Sequence, residues 1–338
     1  MSVETTASEV FQALRHPAFP GRIDGRDRNV LWFLLTFILA VAAGAVLAVI
    51  CFIAVTMIFF LINVASGGTE GAKAALEHVM ALVQNPPDRL DLKDSITAFV
   101  LLAAINTPLA AGAVLVAALM GRKPFRMFLT AAPRFRWRLL GAAMVMLPVL
   151  FVPLFLLGSL IEPMQGGMPI LSVSPDAFGR LIYLLAAFAI LIPAAWAEEI
   201  VFRGWLLRQS IAFFRDPWIP LVLNGVLFAL AHTNPNLDDS LQLGLMGVAF
   251  AYMSLRLGGI EFAVGAHAIN NILIVLFFQP LTLTPAEAHP FSIVTALGSV
   301  LVPGACVLAT EIVLRNPRLR AWTGVDRARS DSSAEAFG

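Results

Sequence analysis

Between Val30 and Leu314 the sequence is a succession of long apolar runs separated by short polar stretches, and this pattern limits the fold more than any other feature. In lipid every backbone N–H and C=O must be satisfied inside the protein, so only helices or closed barrels cross a bilayer. A hydrocarbon layer of about 30 Å takes roughly 20 helical residues, and the runs are of that order. A chain of 338 residues with 59% hydrophobic and 13% charged side chains lies far from soluble-domain usage. The expected fold class is an all-α polytopic membrane bundle of about eight helices. The expected location is an integral, multi-pass position in a membrane, the inner membrane of the cell if the source is bacterial.

The distribution of basic residues orients the bundle. The stretch from Gly121 to Arg138 carries Arg122, Lys123, Arg126, Arg134, Arg136 and Arg138 and no acid, as a cytoplasmic loop does. The spans read as 30–64, 96–120, 139–161, 180–207, 218–232, 241–257, 262–278 and 291–314. With both ends inside, nineteen of the 23 basic residues fall on the cytoplasmic side. Residues 1–29 read as a cytoplasmic leader in which His16-Pro17 and Phe19-Pro20 interrupt any helix. Residues 30–138 form the first two spans and the basic loop, 139–314 a membrane-embedded core, and 315–338 a disordered cytoplasmic tail. Ala72 to Val83 is expected as a short interfacial helix, after Gly67-Gly68 and before Pro86-Pro87. Cys51 and Cys306 lie in apolar spans without ligand spacing and read as small buried hydrophobes, with no structural disulfide.

Three ionisable side chains stand inside the apolar run from Leu181 to Leu207: Glu198, Glu199 and Arg203. A charge at bilayer depth costs about 2.5 to 3.5 kcal/mol, so such residues are functional candidates. On a helix Glu199 and Arg203 share a face at i and i+4, acid before base, in the favourable order for an ion pair. Glu198 is rotated away by about 100°. One acid is thereby neutralised and the other left poised for proton transfer. A structural pair that only locks helices together is the bland alternative.

Two further spans carry polar groups: His232 ends the fifth, and His267 shares a helix face with Asn271 in the seventh. Either imidazole alone reads as interhelical glue. Together with the glutamates they are expected to meet in one cavity, because buried polar groups left apart would go unsatisfied. At about 1.5 Å per residue, His232 lies some fifteen residues above the inner end of its span and His267 about six. Straight, perpendicular helices would hold them at different depths. A protruding 216–220 segment, a tilted fifth span, or a deeper start of the seventh at Gly258-Gly259 would bring them level.

Glu-Glu-x-x-x-Arg (Glu198, Glu199, Arg203), Phe-x-x-x-His (Phe228, His232) and His-x-x-x-Asn (His267, Asn271), in this order on such a scaffold, resemble the type II CAAX prenyl endopeptidase and bacteriocin-processing family of intramembrane proteases. The resemblance covers roughly Leu139 to Leu276, and the first two spans add no motif. It implies an endopeptidase in which Glu198 activates water, Glu199 and Arg203 position it, and His232, His267 and Asn271 complete the site. It also implies a glutamate-dependent enzyme without a cofactor, with zinc held by the two histidines and a glutamate as the alternative. No His-Glu-x-x-His is present. The expected partners are the lipid bilayer and a membrane-associated protein or peptide substrate, prenylated or not, and no nucleic acid. From other classes, a proton-coupled transporter or a non-catalytic scaffold would use the same buried groups as a relay or as glue.

The remaining polar residues have local readings. Glu311 and Arg315 read as an i, i+4 interfacial pair, Glu261 as solvated in a turn, and Asn106 as bonding backbone freed by Pro108. His16, His78 and His289 read as solvated, and Asn270 is the neighbour that could replace Asn271.

Overall fold

A computed structural model of the chain describes residues 3–15, 17–19, 21, 23–84, 90–161, 167–281 and 288–326. His16, Pro86-Pro87 and the tail beyond 326 lie outside the described residues. The described residues are helical almost throughout: α1 (Val3–Arg15), α2 (Val30–Gln84), α3 (Leu92–Gly121), α4 (Trp137–Ile161), α5 (Ala177–Phe213), α6 (Trp218–Ala231), α7 (Leu237–Leu257), α8 (Glu261–Phe277), α9 (Ile293–Arg315) and α10 (Pro317–Thr323). Six described helices, Val30–Ala65 of α2, α3, α4, α5, α7 and α9, are long and apolar enough to cross a membrane; α6 and α8 are apolar but shorter. The protein is an integral membrane protein.

Local chemistry explains where helices begin and bend. Asp91, Asp176 and Ser292 cap α3, α5 and α9 by accepting from the N–H groups of Asp94, Gly179 and Thr295. α2 bends at Gly68, whose φ of 66° an L side chain adopts only with strain. The interfacial helix expected over 72–83 is thus the second limb of α2, folded back towards the first beside α3.

α8 is the centre of the bundle, packed against α4, α5 and α7. Fourteen of its residues are buried, which explains why its sequence is apolar all round. It need not reach either membrane face. Its first residue corrects one expectation: Glu261 is fully buried, not solvated, and takes a bidentate pair from Arg136 at 2.9 and 2.7 Å. The segment 129–131 covers the turn, with Ala131 N–H donating to Gly258 O and Ile260 N–H to Leu129 O. α8 therefore starts inside the protein.

The N-terminal segment is helical as far as Arg15, before the expected break at His16-Pro17. It forms α1, and Leu14 packs against Leu207, Leu221, Ala251 and Leu255, while Phe19 is fully buried with Phe128, Trp205 and Ile260. Asp27 accepts from Arg208 at 2.8 Å and lies 3.2 Å from Lys123. Gln209 donates to the Asp27 carbonyl, and Lys123 also pairs with Asp24. Outside the helices, the Lys123 ammonium holds the Asp24 carboxyl below its ordinary pKa.

Other pairings refine the sequence reading. Glu311 takes its closest ion pair from Arg256 on α7 at 2.8 Å, and Arg315 stands at 3.7 Å. His78 is not simply solvated, since its Nε2 lies 2.6 Å from Asp94 Oδ1. His289 is partly exposed and bonded to Asp239 at 3.1 Å. Both cysteines are free.

Candidate active site

The site is built on α5. Past Glu199 this helix widens into a π turn over Ile200–Leu206, where Leu207 N–H reaches the carbonyl of Phe202. Asn224 of α6, fully buried, donates to the same carbonyl at 2.7 Å. Such π turns are concentrated at functional positions because they re-aim side chains within an otherwise regular helix.

Glu199 and Arg203 are both fully buried and form the expected i, i+4 pair at 2.9 Å. The guanidinium also donates to Gly247 O at 3.2 Å, and its carbon lies 4.4 Å from the ring centre of Phe228 and 5.1 Å from that of Phe250. Facing rings stabilise a desolvated cation through their quadrupoles. The carbonyl of Gly247 is within reach because α6 and α7 cross closely there: a Cβ built on Gly247 would stand 2.8 Å from Gly225 Cα.

The same Glu199 oxygen that meets Arg203 lies 2.9 Å from His267 Nδ1. That oxygen already accepts from Arg203, so His267 Nδ1 donates to it and its Nε2 faces away from Glu199. Phe250 stacks on His267 at 5.3 Å and 23°. His232 is set by the same logic. Its Nδ1 donates to the carbonyl of Phe228 at 2.8 Å, one turn back at the end of α6. The Phe-x-x-x-His spacing thus does two things, placing a carbonyl under the imidazole and a ring against Arg203.

Glu198 stands where these arrangements converge. Its Oε2 is 3.9 Å from His232 Nε2 and 3.7 Å from His267 Nε2, and its Oε1 is 3.5 Å from Asn106 Nδ2 of α3. Oε2 is buried without a direct hydrogen bond from the described residues. Asn106 was expected to bond backbone near Pro108 and instead reaches Glu198, which gives the first two spans a part in the site.

The two histidines come level for a countable reason. Fifteen residues separate Glu198 from Phe213, and fourteen separate Trp218 from His232. The tight turn between α5 and α6 therefore sets them opposite each other, and the recessed start of α8 lifts His267 to meet them. The structure brings together Glu198, Glu199, Arg203, His232 and His267. Asn271 lies one turn beyond His267, partly buried, and accepts from Asn270 at 3.3 Å. Phe250, Asn224 and Gly247 were not picked out from sequence. An amide in an apolar run is a visible signal for Asn224 and Asn106, whereas a phenylalanine among many carries none.

Fold and site together define a polytopic membrane protein with a buried carboxylate, arginine and imidazole centre. Residues 180–273 match the family described as Rce1-like, type II CAAX prenyl endopeptidase. The chain is similar to the uncharacterized protein YyaK of Bacillus subtilis (strain 168), at 29% identity over 163 residues, which is 46% of this chain and 53% of YyaK. The chain thus spans about half the length of this curated relative. No solved structure matches it.

Proposed function

We propose that the protein is an intramembrane endopeptidase in which Glu198 activates water against a peptide bond of a membrane-associated protein or peptide. The observation that carries this reading is the facing of Glu198 Oε2 and the two Nε2 atoms at 3.7 and 3.9 Å, with each Nδ1 already committed. These separations are too long for direct hydrogen bonds and suit a water held between acceptors. Such a water directs one proton to Glu198 and the other to an imidazole Nε2, which leaves an oxygen lone pair for attack.

Glu198 takes a proton from the water, and the oxygen bonds to the peptide carbonyl carbon, forming a tetrahedral oxyanion. By the family resemblance, the Asn271 amide supplies a donor to that charge. The intermediate collapses with cleavage of the C–N bond as the amine receives the proton from Glu198, so one water is consumed per bond. The buried Arg203 pairs with Glu199, and Glu199 keeps His267 in the tautomer that serves the water.

A second reading, zinc, is favoured by the same tautomers. Two Nε2 lone pairs and one carboxylate oxygen face each other, and each imidazole is held from behind by an acceptor, as zinc ligands are. The donor types suit a zinc ion, which would polarise the scissile carbonyl and acidify its water, but the three atoms do not all lie within 4.8 Å of one another, as those of Asp238, Asp239 and His289 do, so the side chains would have to close in on it. Glu198, His232 and His267 would be its ligands.

The basic-residue distribution supports eight crossings with both termini inside. On that topology the substrate is drawn from the membrane and cleaved within it. Glu198→Gln preserves shape and should abolish cleavage, read as peptides present in membranes with active protein and absent with the variant. Cleavage lost to a chelator and restored by zinc would select the second reading. Cleavage surviving in Glu198→Gln would sink both.

A further inference from the structure

We infer that Asn106 is a positioning residue for the hydrolytic centre, holding one oxygen of Glu198 so that the other faces the imidazoles; the inference rests on the reading of Glu198 as the base. The two carboxylate oxygens of Glu198 have different surroundings. Oε1 has the Asn106 amide at 3.5 Å, whereas Oε2 is turned to His232 and His267. An amide nitrogen has only donors to offer, so this contact is an N–H directed at a carboxylate oxygen, at the long limit of a hydrogen bond.

The arrangement follows from packing. α3 lies along α5, and Asn106 sits two residues before Pro108, in an otherwise apolar stretch of helix. A polar amide in that setting needs a partner to offset its desolvation. The partner it reaches is 92 positions away rather than the backbone next to it. Asn106 also lies outside residues 180–273, the part that matches the protease family, so the site is completed by a helix beyond that part. A carboxylate on a flexible stem swings about its last torsion, which is broad and roughly two-fold. Without the amide, either oxygen can face the imidazoles at varying distance. With it, one oxygen is tethered and the lone pairs of the other are aimed at the water.

The test uses full-length protein in lipid nanodiscs and the variants Asn106→Leu, which keeps size without the donor, and Asn106→Gln, which restores an amide. Infrared difference spectra between each protein and its Glu198→Gln counterpart isolate the Glu198 carboxyl bands without any need for turnover. Expected are displaced bands in Asn106→Leu and partial return in Asn106→Gln. On a peptide cleaved by the wild type, Asn106→Leu should lower kcat about tenfold to a hundredfold with KM little changed, with recovery in Asn106→Gln.

Unchanged Glu198 bands in Asn106→Leu overturn the inference, as do displaced bands with undiminished kcat. Absence of any Glu198-dependent cleavage by the wild type defeats the proposed function instead, and the spectra still decide the contact. If Asn106→Leu does not fold, Asn106→Ala takes its place in both measurements.

Discussion

Glu198 and Glu199 are neighbours in the chain and opposites in circumstance. Glu199 is fully buried and shares one oxygen between Arg203 and His267, whereas Glu198 is reached only at longer range. Breaking a buried ion pair from one side leaves an uncompensated charge in low dielectric, at a cost of about 3 to 5 kcal/mol. Arg203→Met and Glu199→Gln should each lower the thermal unfolding midpoint in detergent by an amount of that order. The double variant, which leaves no lone charge, should recover part of the loss. A double variant worse than the sum of the two would mean that the pair does not act as a unit. The Glu-Glu-x-x-x-Arg spacing made this pair legible from sequence, because four residues return a helix to the same face. The contribution of Phe250 was illegible, since its stacking on His267 joins α7 to α8 and nothing in the local sequence marks it.

At the level of elements, α5 depends on a contact from outside itself. The π turn leaves Phe202 O to accept from Leu207 N–H and from the Asn224 side chain. Asn224→Leu removes the second donor and should cost about 1 to 3 kcal/mol, with a fall in cleavage as the register of Glu198 relative to Arg203 relaxes. Unfolding midpoints and turnover measured on the same preparation check both parts. Intact turnover with lowered stability would separate the π turn from catalysis. Sequence periodicity placed α5 within a few residues. It could not show the widening at Ile200–Leu206, which adds one residue to a turn without disturbing the apolar pattern.

At the scale of the molecule, the N-terminal segment and the loop around 129–136 close one end of the bundle. Phe19 is fully buried among Phe128, Trp205 and Ile260, so Phe19→Ala should cost about 3 to 5 kcal/mol, measured as a lowered unfolding midpoint. The other end has a pH-sensitive clasp. Outside the spans, His289 is held by the carbonyl of Pro290 and then by Asp239, which raise its pKa above the ordinary imidazole value. Because the folded value is raised, the clasp contributes fully below the ordinary imidazole pKa and is lost as pH rises through the higher one. Unfolding midpoints across the neutral range should show that loss in wild type and not in His289→Gln. Parallel slopes in the two proteins would discount the clasp.

Apolar length and lipid's demand for internal backbone hydrogen bonds determined from sequence alone that this chain is a helical membrane protein, and helix periodicity determined which ionisable groups could pair within a helix. Tertiary structure decided the rest: that α8 begins beneath the 129–131 cover, bringing His267 to the height of His232, and that α3 delivers Asn106 to Glu198. The physical reason is that a residue's depth and its partners across helices follow from where each helix starts and how closely it packs. Those offsets are settled by contacts between distant segments, and no local pattern records them.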